Sequence, residues 1–254
     1  MKNNNYPDFL IVGAAKSGTT SLWKYFSEHP GIFMPKDRKE LNYLHLKGNE
    51  SKREIINHLK KRGVVLPRST SDYLDCFKNK TTSQICGESS PSYLYFYEDT
   101  INNIKSIFPE WKNLKIIIIL REPINKIWSH YKFVQMLNLD PDKYNLNKSI
   151  QFEKRRLNDP KKNYLPDLFY IDNTSYYNQV KAYTENFKNT KVMLMDDLRN
   201  KPKETLESLY TFLDVEYFEP NNLSEKFNKS QPIYERKKNL TTFFVFLIPR
   251  KIRI

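Results

Sequence analysis

Two cysteines, four histidines and no apolar run of membrane-spanning length remove several common solutions from this 254-residue chain. Cys76 and Cys86 are too few for the disulfide frameworks that staple small secreted domains, and both are expected to be reduced. His29, His45, His58 and His130 show no metal-ligand spacing, and no cysteine pair accompanies them, so no metal site is expected. No stretch reaches the roughly 20 apolar residues of a transmembrane helix. Internal repeats are absent. Acidic residues are also in deficit, 29 against 42 lysines and arginines, for a net charge of +13. Such a balance draws anionic ligands, although the cations are spread along the chain as a lysine- and asparagine-rich proteome would spread them. Without a recognisable reading motif, nucleic acid is disfavoured as the partner.

Of the six glycines, two define the most informative segment, Gly13-Ala14-Ala15-Lys16-Ser17-Gly18-Thr19-Thr20-Ser21. The glycine spacing is that of a phosphate-cradling loop. In a nucleotide kinase, however, lysine directly follows the second glycine. Here Thr19 takes that place and Lys16 lies inside the loop, which argues against ATP with magnesium. The run from Asp8 to Val12 suits a buried strand, and Leu22, Tyr25 and Phe26 fall at helical spacing. In a strand–loop–helix of this kind the amides from Ser17 to Ser21 open the helix toward an anion, beside the hydroxyls of Thr19, Thr20 and Ser21 and the Lys16 ammonium. The competing reading is a glycine turn capped by serine and threonine. The added lysine and the hydroxyl run weigh against it.

Leu114 to Leu120 is nearly all isoleucine and leucine, as a central parallel strand buried on both faces should be. Arg121 follows at the strand's carboxyl end, where a magnesium-dependent enzyme of this class would place an aspartate. Pro123 suits a first helical turn. Ile124, Ile127, Trp128 and Tyr131 then fall at helical spacing, with Ser129 among them. Arg121 offers a planar fork of donors and Ser129 a hydroxyl, a pairing fit for a second phosphate near the switch point of an open α/β sheet. Taken singly, Arg121 could be a surface ion pair and Ser129 a solvated helix position.

Together, K-S-G-T-T-S-L at Lys16 to Leu22 and R-E-P-x-x-K-x-W-S-x-Y at Arg121 to Tyr131 resemble the nucleotide signatures of the sulfotransferases that use 3'-phosphoadenosine 5'-phosphosulfate (PAPS). The resemblance runs from about Asp8 to about Asn239. It implies a single α/β domain over residues 1–254, with a central parallel sheet flanked by helices and a core like that of the P-loop nucleotide kinases. Lys16, Ser17, Gly18, Thr19, Thr20 and Ser21 would bind the 5'-phosphosulfate, and Arg121 with Ser129 the 3'-phosphate. The reaction would need no metal and would leave adenosine 3',5'-bisphosphate (PAP). Lys126 stands where many relatives carry arginine, keeping charge but not bidentate geometry.

Pro35 to Leu44 resembles the K-E-x-x-[FY]-[FL] stretch of the carbohydrate and bacterial branches, which makes Glu40 the general base beside the catalytic Lys16. His45 is the alternative base, out of register for a direct match and equally readable as a partly buried histidine. Gly87 to Leu94 resembles the G-E-x-[ST]-P-x-Y segment near the acceptor, with Ser89 where some relatives place lysine. Glu88 and Ser90 there could orient the acceptor or simply form a proline-bounded turn. The segment from Phe227 to Arg236 resembles a loop closing over the nucleotide, with Arg236 as a phosphate contact.

Elsewhere, Glu98 to Phe108 and Tyr177 to Phe187 read as core-facing helices, and Lys191 to Met195 as another strand. A helix follows near Pro202, with Leu206, Leu209, Phe212 and Leu213 inward. Residues 47–82 and 138–172 read as acceptor-binding insertions, the second as a long irregular lid. The tail from Phe243 to Ile254, apolar and then basic, suits either a last packed helix or an interfacial membrane anchor. With no secretory signal, the expected location is cytoplasmic, with peripheral membrane contact through that tail. The expected reaction is sulfuryl transfer from PAPS to a hydroxyl or amine of an acceptor, a glycan or glycolipid. The rivals are a magnesium-dependent small-molecule kinase and a non-catalytic nucleotide-binding or membrane-surface module.

Overall fold

The β-branched and apolar runs form a five-stranded sheet. A computed structural model describes residues 5–49, 52–159, 164–221 and 223. Its strands are β1 (Phe9–Gly13), β2 (Ile32–Phe33), β3 (Ile85–Ser89), β4 (Lys115–Leu120) and β5 (Thr190–Leu194). They lie in the order β2-β3-β1-β4-β5, and every neighbouring pair is parallel. The carboxyl ends of β3, β1 and β4 therefore share one edge. That edge carries Ser89, Gly13 and Leu120 followed by Arg121.

The period of two along each strand divides the core into two layers. Leu10, Val12, Ile116 and Ile118 face one cluster, which includes Ile101, Ile104 and Ile107 of α6 (Tyr97–Ile107) and Tyr183 of α9 (Tyr176–Asn186). Phe9, Ile11, Ile117 and Ile119 face the other. Leu22 and Phe26 of α1 (Thr19–Glu28) lie there with Leu206, Leu209, Tyr210 and Leu213 of α11 (Pro202–Leu213). Tyr210 rather than Phe212 completes the inward stripe of α11, because Phe212 stays half-buried. Full burial of Ile116 to Ile119 contributes about 1.5–3 kcal/mol for each side chain, which is why this strand occupies the interior of a parallel sheet.

The described chain divides into two compact units. The first takes residues 5–49, 66–121 and 176–223 and holds the sheet. Its shorter helices are α2 (Tyr43–Leu46), α4 (Thr70–Asp75), α5 (Ser92–Tyr95) and α10 (Met195–Asn200). The second takes residues 52–65, 122–159 and 164–175 and contains α3 (Arg53–Lys61), α7 (Pro123–Met136) and α8 (Leu146–Leu157). α7 starts where Glu122 accepts hydrogen bonds from the Ile124 and Asn125 amides at 2.9 and 2.7 Å, with Pro123 in its first turn.

The second unit departs from the sequence reading in two ways. Residues 138–172 are not irregular, since α8 runs through them behind an Asn145 cap and two 3-10 turns follow at Pro166–Leu168 and Asp172–Thr174. The buried face of α8 is polar: Ser149, Glu153 and Arg156. Glu153 accepts the amides of Tyr170, Ile171 and Asp172 at 2.7, 3.0 and 2.7 Å. Arg156 pairs with Asp140 at 2.7 Å and Asp142 at 2.9 Å, its guanidinium lying over the rings of Tyr144 and Tyr164. Secondly, α7 buries Lys126, His130 and Val134, whereas Ile124 and Trp128 stand exposed at 75% and 48%.

Candidate active site

β1 ends at Gly13, where a side chain would collide with Leu94 and approach the Pro91 carbonyl. The chain then turns tightly enough to place Lys16 at φ 66° and Gly18 at φ 96°, both left-handed. Gly18 is the N-cap of α1 and no side chain caps the helix; the Ser21 amide donates to the Gly18 carbonyl at 3.0 Å and the Ser17 amide to the Ala14 carbonyl at 3.3 Å, which leaves the Thr19 and Thr20 amides for an external acceptor. Ser17 is completely buried, and its hydroxyl has no hydrogen-bond partner among the described residues. A buried hydroxyl costs free energy unless it is paired. A phosphate or sulfate oxygen would satisfy both it and the amides, so the residues present fit an anionic donor group.

Arg121 leaves the end of β4 and reaches the same loop, its Nη1 donating to the Lys16 carbonyl at 3.1 Å. Its own carbonyl accepts from Tyr176 Oη at 3.1 Å. The sheet thus brings together two segments 105 residues apart. Ser129 lies half-buried on α7 of the second unit. Arg236 and the tail from Phe243 fall outside the described residues.

Glu40 is exposed and its Oε1 pairs with Lys39 Nζ at 2.7 Å. His45, the alternative base, is 1% exposed. It stacks on Phe96 with ring centroids 4.8 Å apart and sits 3.4 Å from Ser92 Oγ, the surroundings of a packed histidine. The Glu88 carboxyl is also fully buried, one residue before the carboxyl end of β3. Burial pushes it up to about 7, against the hydroxyls of Tyr73, Tyr93 and Ser90 and the Leu41 amide, which favour its charged form. Tyr73 and Tyr93 donate to Oε1 at 2.7 and 2.9 Å, and Ser90 donates to Oε2 at 3.0 Å. Glu88 and Ser90 therefore face inward. The spacing of the G-E-x-S-P-x-Y segment marked these residues, but nothing in it showed that they point at another loop.

At the carboxyl end of β2 a cavity of about 400 Å³ opens between Phe33, Pro35, Lys36, Arg38 and Asn79. Cys76, which also lines it, and Cys86 are both free. Burial pushes both thiols up, Cys86 to about 12, so neither is a ready nucleophile. Lys126, where the family motif varies, is buried in the second unit. Its ammonium donates to the Asn173 carbonyl at 2.7 Å and to the Asn173 side chain at 2.9 Å. Burial lowers it to about 7 against the attraction of Glu153 and Asp167. That lysine organises the 3-10 turn at Asp172–Thr174.

Residues 6–241 match the sulfotransferase domain family. The chain belongs to that family. Among solved structures, this sulfotransferase is similar to one from Alicyclobacillus acidocaldarius at 25% identity and a TM-score of 0.70, over 94% of this chain and 92% of that one. The sulfotransferase domain of the Synechococcus PCC 7002 olefin synthase shares the fold at 15% identity and a TM-score of 0.50, covering 96% of each chain. A curated relative, the membrane-associated sulfotransferase kil1 of Dictyostelium discoideum, is 28% identical over 129 residues, 50% of this chain but 23% of that protein. The strand–loop–helix and the parallel sheet are thus those of an enzyme that transfers sulfuryl groups from a nucleotide sulfate donor to an acceptor. No described helix is long and apolar enough to cross a membrane.

Proposed function

We propose that this sulfotransferase, one domain spanning both units, moves a sulfuryl group from PAPS to a hydroxyl or amine of a glycan or glycolipid and requires no metal. The observation that carries the reading is the loop after β1, with its lysine, its buried unpaired Ser17 hydroxyl and its uncapped helix, tied to Arg121. Lys16, Ser17, Gly18, Thr19, Thr20 and Ser21 hold the 5' end of the donor, and Arg121 the 3'-phosphate. Ser129 and Arg236 are assigned to the nucleotide by sequence motif alone.

The donor supplies a sulfuryl group on a phosphate leaving group. Lys16 offsets the charge that develops on the bridging oxygen, a stabilisation that accelerates transfer only as far as it grows in the transition state. Glu40 takes the proton of the attacking hydroxyl or amine. The cavity lined by Lys36, Asp37, Arg38 and Asn79 suits the acceptor, whose hydroxyls those charged and amide groups would bind. The apolar-then-basic tail and the membrane-associated relative support peripheral membrane contact of a cytoplasmic enzyme.

Thermal shifts with PAP, PAPS and ATP, each with and without magnesium, test the donor. Stabilisation by PAP and PAPS in a chelator is expected. A shift confined to ATP with magnesium would make the protein a kinase, and PAP binding without transfer to any acceptor would make it a nucleotide-binding module.

A further inference from the structure

Glu88 of β3, Ser90 just after it and Tyr93 of α5 hold three backbone amides just after Glu40. The Leu41 amide donates to the Glu88 carboxylate, the Asn42 amide to Ser90 Oγ at 3.0 Å and the Leu44 amide to Tyr93 Oη at 3.2 Å. Ser90 and Tyr93 in turn donate to Glu88, as does Tyr73 from α4. We propose that Glu88, Ser90 and Tyr93 are positioning residues, a clamp that fixes the loop backbone from which the Glu40 side chain reaches the acceptor. The proposal rests on reading Glu40 as the base.

Burial separates this role from acceptor binding. Glu88, Ser90 and Tyr93 are each 0% exposed and, unlike the Ser17 hydroxyl, their polar atoms are already paired with the loop amides and with one another, so they serve the loop and not a substrate. The hydrogen bonds also run in one direction. Each partner of Glu88 donates to it, so the ring of donors favours its charged form while burial opposes it. The held backbone is itself unfavourable. Asn42 sits at φ 51°, a left-handed conformation that persists in a non-glycine residue only where surrounding groups impose it. A fourth contact does so, with Ser92 Oγ donating to Asn42 Oδ1 at 2.7 Å. The Glu40 side chain is exposed, so the fixed part of the base is its backbone, and the clamp is what fixes it.

Ser90→Ala removes the acceptor of the Asn42 amide. With PAPS and a mixed oligosaccharide pool as probes, PAP release should show kcat reduced on the order of ten- to a hundredfold, as misplacement by about 1 Å does. KM for PAPS should stay unchanged and Ser90→Thr should restore the rate. Tyr93→Phe, which keeps its ring in the core, should lower kcat in the same way and covers the case in which Ser90→Ala fails to fold. Full kcat in either variant, a KM for PAPS that rises in step with the loss, or no recovery in Ser90→Thr would overturn the clamp. Glu40→Gln separates the two readings. Its full activity would overturn the base and the clamp together, whereas an inactive Glu40→Gln beside an unaffected Ser90→Ala overturns the clamp alone.

Discussion

Replacing Glu88 by glutamine should change how the stability of this sulfotransferase responds to pH. In the unfolded chain the carboxyl titrates near 4.5, and in the fold burial raises it to about 7. Below pH 4.5 it is neutral in both states and its contribution to stability is fully present. As the pH rises toward 7 the unfolded chain releases the proton while the folded protein keeps it, so that contribution is progressively lost. The gap corresponds to about 3 kcal/mol at roughly 1.36 kcal/mol per pH unit. Glutamine fills the same volume and does not titrate. Wild type minus Glu88→Gln should therefore fall by about 3 kcal/mol between pH 4.5 and pH 8. Read as melting temperature, at about 2–4 °C per kcal/mol for a chain of this size, that is about 6–12 °C. Titration of distant carboxylates cancels in the difference. The assay is a pair of thermal melts across that pH range, and a difference that stays flat or grows with pH would refute the assignment of a buried, proton-holding carboxyl.

Lys16→Ala should abolish sulfate transfer in a radiolabelled assay while the melting temperature without nucleotide stays near wild type; retained turnover would remove Lys16 from the mechanism. Gly13→Ala forces a methyl group against Leu94 and the Pro91 carbonyl and should cost about 1–3 kcal/mol in urea unfolding, with weaker stabilisation by PAP because the loop shifts. Glu153→Gln turns an acceptor oxygen into a donor that faces backbone amides, and should cost about 1–3 kcal/mol. Hydrogen exchange should show Tyr170, Ile171 and Asp172 opening faster, and unchanged protection there would contradict the role given to Glu153.

The sheet was legible because its strands are written in apolar residues. The run from Leu114 to Leu120 and the stripe of Ile101, Ile104 and Ile107 each bury where their period places them. The phosphate loop was legible because its glycines, lysine and hydroxyls are chemically specific. In the second unit, what escaped follows one rule: polarity hides burial. α8 shows no apolar stripe because its inward face is Ser149, Glu153 and Arg156. α7 shows a misleading one, because Lys126 and His130 go inward while Ile124 and Trp128 remain outside. The clamp around Glu88 escaped for a different reason. It joins two motifs about 48 residues apart, and sequence spacing shows neither that Ser90 accepts the Asn42 amide nor that Tyr93 accepts that of Leu44.

The ionic interior of α8 has an evolutionary consequence. An apolar core accepts exchange among side chains of similar volume, because dispersion and burial ask only for shape. Arg156 serves two named carboxylates, so a change in that trio strands the rest as unpaired charge, and Glu153 serves three named amides that its loss would leave unpaired. In relatives, Asp140, Asp142 and Arg156 should therefore be kept together or replaced together by apolar residues, and Glu153 should be kept wherever the turn at Asp172–Thr174 keeps its conformation. The segment that looks freest in composition would then be among the least free to change one residue at a time.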